Sequence, residues 1–138
     1  MTELNHSLEV QDVALSLEQA VVLRPTDMFR KAVEQMSKKR LGIVCIVDDE
    51  NAFVGVFTDG DIRRLLLLDH KPIAALFAED ISRHMTRDPK TAAPNMKLEK
   101  AISLMEHTDV YDLPVVDRDG RLTGVLHMHA AIKNLLGL

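Results

Sequence analysis

The sequence contains no tryptophan, one tyrosine and four phenylalanines, so any interior it builds is filled mostly by aliphatic side chains. Seven methionines add adaptable filling. A single cysteine excludes an internal disulfide. Cys45 lies inside the apolar run Ile43-Val44-Cys45-Ile46-Val47, where it reads as a small buried hydrophobe rather than a nucleophile. No apolar run reaches the roughly 18 residues that a membrane-spanning helix needs. The N-terminal stretch MTELNHSLEVQDVALSLEQ is too acidic and too interrupted for a signal peptide, so a cytoplasmic location is expected. Positive charge is also scarce: 17 Lys and Arg stand against 21 Asp and Glu, a net charge of −4. Such a balance argues against nucleic acid as a partner, because affinity for the phosphate backbone comes from clustered cations. The one basic run, Lys38-Lys39-Arg40, falls at a predicted helix end and complements the helix dipole there. No Ser-His-Asp set, phosphate-binding Walker loop, paired catalytic carboxylates or zinc motif is present.

What the chain does have is a repeat. Displaced by 69 residues, Pro25 falls on Pro94, Ala32 on Ala101 and Met36 on Met105. Val47-Asp48 then falls on Val116-Asp117, and Gly55-Val56 on Gly124-Val125, with no gap. Each copy begins with a short extended segment ending at proline, 20–25 and 90–94. A helix follows, with Met28, Ala32, Val33 and Met36 on one stripe and Leu98, Ala101, Ile102 and Met105 on its counterpart. Thr26 and Asn95 stand where side-chain N-caps are expected. Two strands come next, 43–48 with 53–58 and 113–117 with 122–127, joined by the turn formers DDENA and RDGR. A second helix closes each copy, 61–68 and 129–136.

One such copy buries too little surface to be comfortable alone, whereas two packed sheet to sheet share a core. The organisation expected is an N-terminal segment 1–19, a first repeat 20–71, a linker 72–86 with some helix, and a second repeat 87–138. The N-terminal segment either forms an amphipathic helix on Leu8, Val13 and Leu17 or stays partly mobile.

A doubled strand-helix-strand-strand-helix unit resembles a CBS domain pair. The stretches LGIVCIVDDENAFVGVFTDGDI and YDLPVVDRDGRLTGVLHMHAAI carry the resemblance, which extends over about residues 20–137. It implies an α+β fold of tandem CBS repeats, sheet to sheet, with pseudo-two-fold symmetry. FTDGDIRR followed by GVLHMH is similar to the C-terminal CBS pair of bacterial arabinose-5-phosphate isomerases. Those enzymes carry a sugar-isomerase domain ahead of it, and the first 19 residues here leave no room for one. The TDGDIRR half also resembles CBS pairs attached to sugar-phosphate nucleotidyltransferases.

The corner GVFTDGDI, where a strand runs into a helix, supports two readings. By resemblance, Gly55, Val56, Phe57, Thr58, Asp59, Gly60 and Asp61 match the nucleotide-binding pattern of CBS repeats. The Asp61 carboxylate accepts two hydrogen bonds from a ribose diol. Thr58 and the N–H groups near Gly60 suit a phosphate at a helix N-terminus. The base then lies against Val22, Ile43 and Val44. In the other reading Thr58 or Asp59 merely caps the helix and Asp61 is a first-turn acid. Arg63 and Arg64 either reach a phosphate or remain solvated.

At the second corner His127 replaces Thr58 and Ala130 replaces Asp61, so a diol site of the same design is lost. His127 and His129 would share a face in a strand, but with no obvious third ligand they do not make a zinc site. They serve instead as a weak second binding corner or as polar surface.

Three functions follow as expectations. The first is a non-catalytic regulatory module that binds AMP, ATP, S-adenosylmethionine or a cytidine sugar nucleotide and modulates a sugar-phosphate enzyme, with no obligate cofactor or metal. The second is a ligand-free dimerisation or assembly module. The third is an excised regulatory part of an arabinose-5-phosphate isomerase. The run Leu65-Leu66-Leu67-Leu68 exceeds what a one-faced helix needs and points to a homodimer.

Overall fold

The computed structural model describes residues 5–68 and 70–138. They form two compact units, one of Gln19–Pro89 and one in which the residues up to Glu18 join Lys90–Leu138. The first unit runs β1 (Val22–Leu23), α1 (Phe29–Lys39), β2 (Ile43–Val47), β3 (Phe53–Thr58), α2 (Asp59–Leu68) and α3 (Ile73–Phe77). Its sheet has the order β1-β2-β3, with β1 parallel and β3 antiparallel to β2. The second unit runs α4 (Leu98–His107), β4 (Asp112–Val116), β5 (Leu122–His127) and α5 (Met128–Leu135). Here the opening strand shrinks to one parallel bridge between Ala92 and Val115. The strand-helix-strand-strand-helix order is therefore present in both, and the fold is α+β. Among the described residues no helix is long and apolar enough to cross a membrane.

The cores of the two units match position by position. Leu23, Phe29, Ala32, Met36, Val44, Ile46 and Phe57 are buried together in the first. Ala92, Leu98, Ala101, Met105, Leu113, Val115 and Leu126 are buried together in the second. Helical periodicity explains the choice, since each helix buries one apolar stripe against one sheet face. The stripe of α1 differs at its start from the sequence reading: Phe29 is buried and Met28 is exposed, because Met28 precedes the helix as its N-cap.

Thr26 and Asn95 do not cap their helices. The N-cap positions are Met28 and Lys97, and neither uses a side chain. A backbone carbonyl from elsewhere in the unit does the work instead. Glu79 O accepts from Phe29 N at 2.8 Å, and Leu8 O accepts from Leu98 N at 3.0 Å. Orphan N–H groups at a helix start need some acceptor, and tertiary structure supplies it here.

Those carbonyls belong to two segments with a common design. In the first unit the segment is α3 followed by a 3-10 turn, Ile81–Arg83; in the second it holds a single 3-10 turn, Val10–Asp12. The amphipathic helix considered for residues 1–19 is absent from the described part of that stretch: Val10 is buried and Leu17 is exposed. Ile81 fills the first core and Val10 the second. Each segment then pairs with the last strand of its unit, Thr86 with Val56 and Leu15 with Val125.

Glycine makes that pairing possible. A Cβ on Gly55 would lie 2.8 Å from Thr86 O, and one on Gly124 would lie 2.4 Å from Leu15 O. Gly124→Ala is therefore expected to push the N-terminal segment off β5 and to cost about 1–3 kcal/mol. Ile81→Ala empties a fully buried site and is expected to cost about 2–5 kcal/mol. Urea unfolding followed by circular dichroism checks both, and an unchanged midpoint for Gly124→Ala would refute the glycine argument.

Candidate functional site

Strand register decides which residues of the first corner share a face. Val22 pairs with Cys45 across β1 and β2, Cys45 with Val56, and Ile43 with Thr58 across β2 and β3. Cross-strand partners point the same way, so Val22, Ile43, Cys45, Val56 and Thr58 occupy one face of the sheet. Val44 and Phe57 point to the other face, into the first core. Val44 is thus removed from the group expected to line a base-binding surface, because adjacent strand residues alternate sides. Val22 and Ile43 keep their place on the face of Thr58, Ile43 directly opposite it and Val22 two strands away; Val22 is half-buried and Ile43 buried.

Thr58 and Asp61 form a capping box at the start of α2. Thr58 Oγ1 accepts from Asp61 N at 3.3 Å, and Asp61 Oδ2 accepts from Thr58 N at 2.9 Å. The Thr58 hydroxyl also donates to Asp61 Oδ2 at 3.1 Å. The capping reading of the corner is therefore realised. It engages only one of the two carboxylate oxygens. Asp61 Oδ1 accepts from Arg64 Nη2 at 2.6 Å and, at 3.4 Å, from Thr86 Oγ1. The Asp61 side chain is 12% exposed, while that of Arg64 is 58% exposed.

Asp59 turns the other way. A Cβ on Gly42 would lie 2.7 Å from Asp59 Oδ2, and Asp59 N donates to Gly42 O at 3.0 Å. It lines a cleft of about 330 Å³ together with Val33, Met36, Arg40, Leu41 and Ile62. Gly60 lies beneath the Arg64 guanidinium, where a Cβ would come within 3.3 Å of Nη1. Thr86 is the residue that sequence reasoning missed. Its signal was a second, weaker repeat: Val10 matches Ile81, and Leu15 matches Thr86, at a spacing two residues longer than that of the main repeat.

The second corner is built from different chemistry. His127 and Asp112 are cross-strand partners, and Asp112 Oδ1 lies 2.7 Å from His127 Nδ1. By the repeat, this pair stands where Thr58 and Ile43 stand in the first unit. His127 ends β5 and His129 falls in the first turn of α5. The strand ends at His127 and a helix begins at Met128, so the two imidazoles do not share the strand face expected for them. Among the described residues no group of three or more His, Cys, Asp or Glu is placed to hold a metal.

The family model described as CBS domain matches residues 10–68 and 78–137. The chain belongs to the CBS domain family. Arabinose 5-phosphate isomerase KdsD of Francisella tularensis is 31% identical over 126 residues, which are 91% of this chain and 37% of that protein. KdsD of Yersinia pestis is 32% identical over 126 residues, again 91% of this chain and 37% of the relative. The chain therefore spans little more than a third of the length of these relatives. Among solved structures, CBSX2 in complex with AMP superposes with a TM-score of 0.82 at 28% identity, covering 94% of this chain and 96% of that one. CBSX2 from Arabidopsis thaliana superposes with a TM-score of 0.81 at 28% identity, covering 95% and 96%.

Within this CBS chain the capping box and the Arg64–Asp61 ion pair have separable weights. Thr58→Val removes the cap hydroxyl and is expected to cost about 1 kcal/mol. Arg64→Gln removes a donor whose guanidinium is largely solvated and leaves the Asp61 carboxylate its cap donors, so it is expected to change stability by less than about 1 kcal/mol. Chemical denaturation of the two variants tests the ranking, which fails if Arg64→Gln is the more damaging.

Proposed function

We propose that this chain is a non-catalytic regulatory module that holds a nucleotide at the first corner, with the ribose diol on Asp61 and the base against Val22 and Ile43. One observation carries the reading. Asp61 has a nearly buried carboxylate with one oxygen committed to the helix cap and the other held, among the described residues, by Arg64 and, weakly, Thr86. A diol brings two donors to an acceptor-only group, so it can take over Oδ1 without dismantling the cap. Thr58 and Gly60 N lie beside it for a phosphate, while Asp59 N and Asp61 N are already bonded to Gly42 O and Thr58 Oγ1. AMP in the CBSX2 complex supports an adenine nucleotide as the first ligand to try. ATP, S-adenosylmethionine and cytidine sugar nucleotides share the ribose and belong in the same panel.

The similarity to KdsD supports an enzyme of sugar-phosphate metabolism as the regulated target, and a cytoplasmic setting goes with it. Thr86 holds its segment on β3 and touches Asp61, so a ligand that displaces it from Asp61 acts on the segment that closes the first unit. Regulation then requires that the ligand bind the two states with different affinity. Leu67 and Leu68 are 73% and 77% exposed, with Leu66 and Ile73 also exposed, an apolar surface that supports homodimerisation. The completeness of the capping box favours a second reading, an assembly module that binds no ligand.

Thermal unfolding with each nucleotide separates the two. AMP at about 100 times its dissociation constant should add roughly 2.7 kcal/mol to the wild type and nothing to Asp61→Asn. No shift with any member of the panel would favour the assembly module. Sedimentation equilibrium should give a dimer for the wild type and a monomer for Leu67→Glu/Leu68→Glu; a monomeric wild type would remove the dimer.

A further inference from the structure

Asp61 Oδ1 already has an internal occupant. Arg64 lies one helical turn beyond Asp61 and donates to that oxygen at 2.6 Å, a charge-assisted bond. Its guanidinium also lies over Gly60, and the Arg64 side chain is 58% exposed. The other three contacts on the carboxylate come from Thr58 N, Thr58 Oγ1 and Thr86 Oγ1, all of them neutral donors. Among the described residues Arg64 is thus the one charged competitor for the position that a diol needs.

We infer that Arg64 is the residue that makes this corner selective for phosphorylated nucleosides. The inference rests on the nucleotide reading given above. A neutral nucleoside that takes Oδ1 must break the Arg64–Asp61 pair and leaves the guanidinium with no anion. A nucleoside 5′-phosphate breaks the same pair but brings its own anion. Arg64, tethered at the same helix start, then exchanges carboxylate for phosphate. The cost of opening the corner is recovered only for the charged ligand. Arg64 also acts as a guard when the site is empty, since it keeps an almost buried carboxylate paired.

Calorimetric titration of the wild type, Arg64→Gln and Arg63→Gln with AMP and with adenosine tests this. The wild type should prefer AMP by about tenfold or more, the weight of one charge-assisted hydrogen bond. Arg64→Gln should bring that preference below about threefold, with adenosine gaining affinity because Oδ1 has lost its competitor. Arg63→Gln makes the same change in net charge one residue away and should keep the wild-type preference. An unchanged ratio in Arg64→Gln, or an equal loss in Arg63→Gln, overturns the role of Arg64 while leaving nucleotide binding intact. Absence of binding by both ligands to all three proteins overturns the nucleotide reading itself, and the role of Arg64 with it.

Discussion

The structure depends on a backbone segment lying where a side chain would otherwise stand. In each unit the segment that enters from outside the repeat pairs with the last strand across a glycine, Thr86 over Gly55 and Leu15 over Gly124. The same segments bury Ile81 and Val10 in the cores and supply the carbonyls of Glu79 and Leu8 to the first N–H groups of α1 and α4. Sheet edge, core and helix start are therefore closed by one piece of chain in each unit. An exposed edge and an uncapped helix would each leave backbone groups without partners. In the first unit this closure also delivers the Thr86 hydroxyl to Asp61, so the candidate site depends on it directly.

The main repeat was legible because its landmarks are of kinds that physics constrains: small residues on packed helix stripes, glycine at a close approach, aspartate at a hairpin turn. Asp48 and Asp117 show the last of these, each accepting turn N–H groups through Oδ1. The closing segments were harder to read. Val10-to-Leu15 and Ile81-to-Thr86 repeat with a spacing of their own and share little more than one buried position and one backbone pairing. Thr26 and Asn95 misled because capping propensity is local, whereas these helix starts are satisfied by distant carbonyls. Val44 misled for another reason: an apolar run buried on both faces, as β2 is throughout, does not show which side each residue takes. Only the pairing with β3 settles it.

The two corners show how one fold is put to different chemistry by few changes. Thr58, Asp61 and Ile43 give an acceptor and a hydroxyl beside an apolar wall; His127, Ala130 and Asp112 give an imidazole held by a carboxylate with no acid in the helix. The first has a carboxylate in the first turn of its helix, with its second oxygen on the exposed Arg64, whereas Ala130 leaves the second helix without one. That asymmetry is why a single nucleotide site per chain is proposed, one with which the capping box is compatible. A cap uses Oδ2 and a ligand needs Oδ1.

The central claim is that Asp61 holds a ribose diol, and the most direct measurement removes the diol from the ligand rather than the carboxylate from the protein. Titration calorimetry with AMP and with its 2′,3′-dideoxy analogue leaves base, phosphate and protein unchanged. Loss of hydrogen bonds to a charged acceptor should weaken the analogue by about tenfold or more. Equal affinity for the two would contradict the claim and leave Asp61 as the cap of α2 alone.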